Sequence, residues 1–461
     1  MKTIKKIIVI LLTLFISTMP TLAQEIHEAA KEGYLEKVKM LLEKDPQLIN
    51  TKDETGRTPL HWACRGVHIK IVEYLIENGA DVNARDINNV TPLHSLSYRG
   101  QTDCIELLIK NGADIETKDA SGLNALFYAA YGGHKGAMEA LLKNGVTINT
   151  RNKNGLTPAD IAKDGGHAEL AQFLISQGGK LTPVKNPEVF NLTNNIYKIT
   201  FCYNQCTNII VFAGSDSVLV IDTGYPRTTE KLKSTIEKIA EGKKIYIINT
   251  HLHIDHIGGN NIADDEDKII NFENLDQKVS NGNLKKGKVP LRGKSGKIFE
   301  TYYVMNFNDK EIRLIPSPGA HTDADLIIHI VDSGIVHMGD LLISQSFPSV
   351  SSNIVKYLDI LEKAIDIFPE YTKFIAGHGH DLTMRGVKDY QKMLINTIEI
   401  VKKGIRAGKS VEDMQKEKFL KDYESYNTFI PELSTDFWIG VVYRSYENDN
   451  LELKDKNYEN K

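Results

Sequence analysis

Cysteine is scarce in this chain, four among 461 residues. Four cannot build the disulfide framework of a small stapled domain, so any fold must rest on buried apolar surface. Positive charge is not in excess either. Lys and Arg total 56 against 60 Asp and Glu, a formal charge of −4, which lacks the cationic footprint of a nucleic-acid binder, and no nucleic-acid partner is expected. With 41% hydrophobic and 25% charged residues, the composition excludes a collagen-like, wholly disordered or multi-span membrane chain. At roughly 150 residues per domain, the length suggests about three domains.

What is present begins with a distinct leader. Lys2, Lys5 and Lys6 precede an apolar run over residues 7–19, then Pro20 and Thr21-Leu22-Ala23-Gln24. A basic region, an apolar region and a small-residue cleavage site read as a signal peptide, residues 1–23, cut after Ala23. At 1.5 Å per residue the run reaches only about 20 Å, short of the ~30 Å hydrocarbon core. The expected mature chain is therefore exported, periplasmic or secreted, with no membrane span. No cysteine follows the run, so a lipid anchor is not expected. Cys64 and Cys104 sit in helical patterns as small core residues. Cys202 and Cys206, between two strand-like runs, read first as a disulfide, second as free thiols and last as a metal pair, because a pair supplies only two ligands.

The first third is periodic. Gly79, Gly112, Gly145 and Gly178 fall 33 residues apart, each after an apolar helical stretch that calls for a left-handed cap. Pro59, Pro92 and Pro158 keep the same step, with Ala125 in the missing slot. Around them recur Gly56-Arg57-Thr58-Pro59-Leu60-His61-Trp62-Ala63, Val90-Thr91-Pro92-Leu93-His94 and Gly155-Leu156-Thr157-Pro158-Ala159-Asp160. This text resembles the ankyrin repeat. Thr before Pro caps a helix, and the Ala/Leu faces of each unit can be buried only on the next. About five units are expected over 24–180: a degenerate first one, then four starting near Asp53, Asp86, Asp119 and Asn152. Asn89 for Gly and Leu123-Asn124-Ala125-Leu126 for Thr-Pro-Leu-His depart from the pattern. His61, His94, His134 and His167 sit at repeat positions and read as bonds within the stack. The resemblance implies an all-α solenoid that offers a surface to a protein partner.

A connector over 181–188 breaks the helical pattern, and a domain over 189–446 follows, with a polar tail from 447 to 461 read as disordered. Strand-like runs at 196–201, 208–212 and 218–221, a helical run at 227–240 and an apolar strand at 244–249 imply layered α/β architecture. That last strand opens into Thr250-His251-Leu252-His253-Ile254-Asp255-His256-Ile257-Gly258-Gly259. Four potential metal ligands within six residues at a strand mouth can converge on one point. The string resembles the metallo-β-lactamase superfamily, and further motifs stand in order downstream: Asp222 after a strand, His321 in Gly319-Ala320-His321-Thr322, Asp340 in His337-Met338-Gly339-Asp340, and His378 in Ala376-Gly377-His378-Gly379.

That resemblance implies an αββα sandwich holding two zinc ions, one on His251, His253 and His321, the other on Asp255, His256 and His378, with Asp340 bridging. Imidazole and carboxylate ligands suit zinc, and a water between two cations is acidified enough to react near neutral pH. Asp255 and Asp340 are the expected catalytic groups, and Asp222 is expected to steady a ligand rather than touch metal. The implied activity is hydrolysis of a small-molecule ester, thioester, lactone or cyclic amide. A zinc β-lactamase is an alternative that Asp340 disfavours, since dedicated β-lactamases place no bridging carboxylate there. A second alternative is an interaction protein with a weakly active or iron-dependent domain. His329 and His337 read as structural, and His380 as a loop residue. The basic stretch 283–297 reads either as a flexible gatherer of anionic substrates or as a solvated loop.

Overall fold

A computed structural model describes residues 21–202, 206–265, 268–350, 353–427 and 433–447. The leader reading therefore falls outside the described residues except at 21–23, as does the tail from 448. Thr21, Leu22 and Ala23, which precede the expected cut, cap and begin the first helix. The chain divides into two compact units between Thr182 and Pro183.

The first unit is a run of helix pairs: α1 (Leu22–Glu32) with α2 (Leu35–Lys44), α3 (Pro59–Gly66) with α4 (Ile69–Glu77), α5 (Pro92–Arg99) with α6 (Thr102–Lys110), α7 (Ala125–Gly132) with α8 (Lys135–Lys143), and α9 (Pro158–Asp164) with α10 (Ala168–Ser176). Each Pro at the first helical position follows a Thr cap. Two of the repeat histidines, His61 and His94, stitch neighbours together. Thr58 N–H donates to His61 Nδ1, leaving Nε2–H to donate to the Val90 carbonyl of the next repeat, 3.0 Å away; His94 does the same with Leu123. The four glycines at the 33-residue step have φ of +86° to +95°, a conformation other residues adopt only with strain. Asn89 takes the equivalent left-handed position of Gly56, with φ +59°. In the departing repeat Phe127 is buried where His61 and His94 stand in theirs. Leu181 packs on this core and Thr182 bonds Asp160, so the connector's first two residues belong to the stack.

The second unit has two facing sheets with helices outside. One sheet runs β1 (Glu188–Thr193), β2 (Ile196–Cys202), β3 (Cys206–Ala213), β4 (Ser217–Ile221), β5 (Lys244–Ile248) and β6 (Ile269–Ile270), antiparallel through β4 and parallel thereafter. The other is ordered β15-β14-β13-β12-β11-β10-β7, from β7 (Lys285–Lys286), β10 (Tyr303–Phe307), β11 (Lys310–Pro316), β12 (Leu326–Ile330), β13 (Ile335–His337), β14 (Lys373–Ile375) and β15 (Leu382–Thr383); β8 (Leu291–Arg292) and β9 (Ile298–Phe299) form a small separate hairpin. Period-two alternation sorts the side chains. In β4, Leu219 and Ile221 join Leu314, Ile328 and Ile330 between the sheets, while Val218 and Val220 meet α11 (Thr229–Ile239) through Leu232 and Ile236. Beyond α12 (Ile254–Ile257) and α13 (Leu275–Ser280), the helices α14 (Ile354–Ile367), α15 (Met384–Arg406), α16 (Val411–Lys416) and α17 (Thr435–Glu447) bring Leu361, Leu394 and Trp438 onto the outer face of the second sheet. The central strands of each sheet are covered on both faces, so they read as near-continuous apolar runs. β1 escaped the sequence reading because its side chains are mostly exposed and carry no alternation.

The basic stretch is mostly exposed, as the solvated-loop reading has it, but it is anchored at several points. Lys285 and Lys286 pair with β10, Lys297 forms an ion pair with Glu362 at 3.0 Å, and Ser295 bonds Asp366, both acids lying on α14. Its charge is thus partly spent on its own fold. Among the described residues no helix is long and apolar enough to cross a membrane.

Candidate metal centre

The motif residues come from strand ends at one rim of the sandwich. β5 runs out into His251 and His253, and α12, a single turn, carries Asp255 and His256. His321 lies in the β11–β12 loop, Asp340 in the turn after β13, and His378 in the loop after β14.

Two clusters form. His251, His253, His321 and Asp340 bring ligand atoms within 4.8 Å of one another, and so do Asp255, His256 and His378. In the first, His253 Nδ1 stands 3.1 Å from His251 Nε2 and 3.0 Å from His321 Nε2. Asp340 reaches both: one oxygen lies 3.5 Å from His321 Nε2 and 3.3 Å from His378 Nε2, the other 3.3 Å from His256 Nε2. All are buried except His253, which faces the opening. A Cβ at Gly377 would collide with Asp340, so only glycine lets that loop pass.

The opposite ring nitrogens decide which atoms are free to bind. His256 Nδ1 is 2.8 Å from Asp222, His321 Nδ1 is 2.6 Å from the Ser349 carbonyl, and His378 Nδ1 is 3.2 Å from the Cys206 carbonyl. These partners only accept, so each Nδ1 carries the proton and each Nε2 presents a lone pair inward. Thr250 Oγ1 donates to Asp222 and receives His251 Nδ1. Asp222 brings no atom into either cluster; at φ +62°, a strained angle for a non-glycine, it holds Thr250 and His256.

His256 Nε2 and Asp340 Oδ1 are buried 3.3 Å apart, with no well-formed hydrogen bond to each other or to any other group. Orphaned buried polar atoms are costly, and five imidazoles with two carboxylates form a donor set that zinc suits. The residues present fit a pair of metal ions. Electrostatics agree. Burial alone would lower the pKa of His256, but Asp222, Asp255 and Asp340 raise it well above the ordinary value, and burial of His378 is likewise outweighed, chiefly by Asp340, leaving it near 10. Asp340, despite burial, is held well below the usual carboxylate range by His378 and His256. A field this favourable to protons on imidazole favours cations in their place.

His380 is exposed and joins neither cluster. His329 packs edge-to-face on Phe368 at 5.0 Å, away from the site. His337 is the buried, satisfied histidine of the structural reading: it accepts from Gly339 N–H, bonds the Asn208 carbonyl, stands 3.8 Å from Asp222 and joins neither cluster. Asn208 and Asp325 were missed. Asn208 Nδ2 donates to the carbonyls of Ala376 and Gly379, and Asp325 fixes the backbone of His321 and Thr322.

The family pattern described as ankyrin repeats matches residues 26–119 and 93–184, and that of the metallo-beta-lactamase superfamily matches 206–391. The chain joins ankyrin repeats to a metallo-beta-lactamase superfamily domain. That domain is 26% identical over 187 residues to the beta-lactamase-like protein 2 homolog of Caenorhabditis elegans, covering 38% of this chain and 56% of the relative. The ankyrin repeats are 48% identical over 56 residues to protein phosphatase 1 regulatory subunit 27 of Mus musculus, covering 12% and 36%. They are 44% identical over 54 residues to the palmitoyltransferase akr1 of Schizosaccharomyces pombe, covering 12% and 8%. The chain thus spans little more than half of the first of these curated relatives and less of the others.

Proposed function

We propose that the metallo-beta-lactamase superfamily domain is a two-zinc hydrolase of an ester, thioester, lactone or cyclic amide, and that the ankyrin repeats recruit a protein partner. The observation that carries this reading is the convergence of seven ligand atoms, four of them imidazole nitrogens whose rings are fixed by outer hydrogen bonds so that lone pairs face inward. Bound there, two zinc ions would supply Lewis-acid polarisation of a carbonyl and an acidified water.

The chain's own groups supply the rest. His251 and His321 are held in the tautomer that presents Nε2, while His253, at the opening, sits beside the entering substrate. Asp340 provides negative charge shared by both clusters, which supports the bridging role and favours this reading over a dedicated β-lactamase. Asp255, the more exposed of the two cluster carboxylates at 12% against 7%, orients the attacking water and takes its proton. Asp222 and Thr250 keep His256 and His251 aimed throughout the cycle. An intact second cluster speaks against a single-iron site. Export of the chain is part of the proposal, and the Cys202–Cys206 disulfide supports it, since such bonds persist in oxidising compartments. On the stack, Trp62 with Arg57 and Arg65, and Tyr98 with Arg99 and Tyr131, form an aromatic and guanidinium surface suited to a carboxylate-bearing partner.

The test is a panel of esters, thioesters, lactones and β-lactams offered to the purified chain with and without chelator. Chelator-sensitive turnover of an acyl substrate other than the β-lactams is expected. Turnover of β-lactams alone would establish the alternative, and none at all would overturn the reading.

A further inference from the structure

His378, like His321, is aimed by a backbone carbonyl, but the carbonyl it reaches belongs to a disulfide-bonded residue. Asp222 and Thr250, which steady His256 and His251, are themselves bonded to each other at the strand ends that feed the site. The Nδ1 of His378 instead reaches the carbonyl of Cys206, the first residue of β3. That end of β3 cradles the whole His378 loop. Thr207 forms an isolated bridge with His378, Asn208 N–H donates to the Gly377 carbonyl at 3.0 Å, and Asn208 Nδ2 donates to Ala376 and Gly379, each at 2.9 Å. Cys206 pairs across the hairpin with Cys202, and the two sulfurs are bonded. Cys202 is exposed and Cys206 half-buried, so the bond is open to a reductant, whereas Cys64 and Cys104 are free, buried thiols in the repeats. The disulfide closes the turn-side end of this hairpin, and any shift of Cys206 there would displace the carbonyl that orients His378.

We infer that the Cys202–Cys206 disulfide is a redox-sensitive brace for His378, which sets the affinity of the Asp255/His256/His378 cluster for its cation without affecting that of the His251/His253/His321 cluster. The inference rests on the two-metal reading. A dithiol reductant opens the brace by exchange: its first sulfur attacks, the Cys202–Cys206 bond breaks, and its second sulfur displaces the mixed disulfide. Two electrons and two protons pass to the cysteine pair, which ends as two thiols, and the dithiol ends as its own cyclic disulfide.

The experiment uses the full chain stripped of metal, either oxidised or reduced with dithiol that is then removed under argon, and titrated with zinc alone against a chromophoric chelator. The oxidised chain should bind two ions. Reduction should weaken the second about 10- to 100-fold, as loss of a ligand's outer partner does, and leave the first unchanged. Cys202→Ser/Cys206→Ser should reproduce the weakening without reductant, which also excludes zinc capture by freed thiolates. In the metal-free wild type, reduction should speed amide exchange in segments 206–212 and 376–380 but not in 250–257. Equal second-ion affinity in both redox states overturns the brace. A wild type that binds no zinc in either state contradicts the metal-centre reading instead, and unchanged exchange at 206–212 and 376–380 would then still overturn the brace.

Discussion

Asp222→Asn probes the site without touching a ligand. Its carboxylate accepts three hydrogen bonds at 2.8 Å, from Thr250 N–H, Thr250 Oγ1 and His256 Nδ1. An asparagine of the same shape keeps one accepting oxygen and turns an NH2 toward a donor. The oxygen bonded to both Thr250 Oγ1 and His256 Nδ1 is the one that matters. If it becomes the NH2, His256 must flip tautomer and present N–H to the site. The lost charge-assisted bond is worth roughly 1.5–3 kcal/mol and the Thr250 bond about 1. Second-ion affinity should therefore fall about 10- to 100-fold, and the second unit should lose about 2–4 kcal/mol of stability. Zinc competition and urea unfolding of the metal-free chain measure the two effects separately. If Asp222→Asn holds the second ion as tightly as the parent while unfolding normally, Asp222 does not set the tautomer of His256 and the reasoning fails.

Other substitutions reach different parts of the account. Asp340→Asn removes one negative charge between the clusters and should release the second ion before the first, whereas Asp340→Cys should retain part of the binding because thiolate suits zinc; metal content after gel filtration distinguishes them. His329 is pushed down to about 4, first by burial and then by Arg313. Its folded value lies below its unfolded one, so the unfolded chain binds the extra proton between about pH 6.5 and 4 and stability falls as pH drops through that window. His329→Phe should remove up to about 3 kcal/mol of that loss, read as the difference between parent and variant in unfolding free energy at pH 7 and pH 4; an identical pH dependence would refute it. Asn89→Gly relieves a left-handed asparagine and should stabilise the stack by up to about 1 kcal/mol, visible as a rise in Tm of the helical transition.

The legible parts of the sequence were those whose signals are local. A 33-residue step announces a stack because each repeat meets only its neighbours, and His251 to His256 announce a centre because one strand end delivers them together. His321, Asp340 and His378 could be named only through family resemblance, since nothing within ten residues of each says that it meets the others. Asn208, His337, Ser349 and Cys206 were illegible as site residues for another reason. They act through backbone carbonyls, or through an amide and an imidazole that look like any core polar residue, and their partners lie far along the chain. The acids that neutralise part of the basic stretch, Asp359, Glu362 and Asp366, were not legible beside it because they follow some 60 residues later on α14.

The central claim is a two-metal centre, and the most direct test is native mass spectrometry of the full chain saturated with zinc and then desalted. The expected mass is that of the chain with two zinc ions, falling to one in His378→Ala with the helical content unchanged. A chain that carries no zinc, or that retains two ions after His378→Ala, would contradict it.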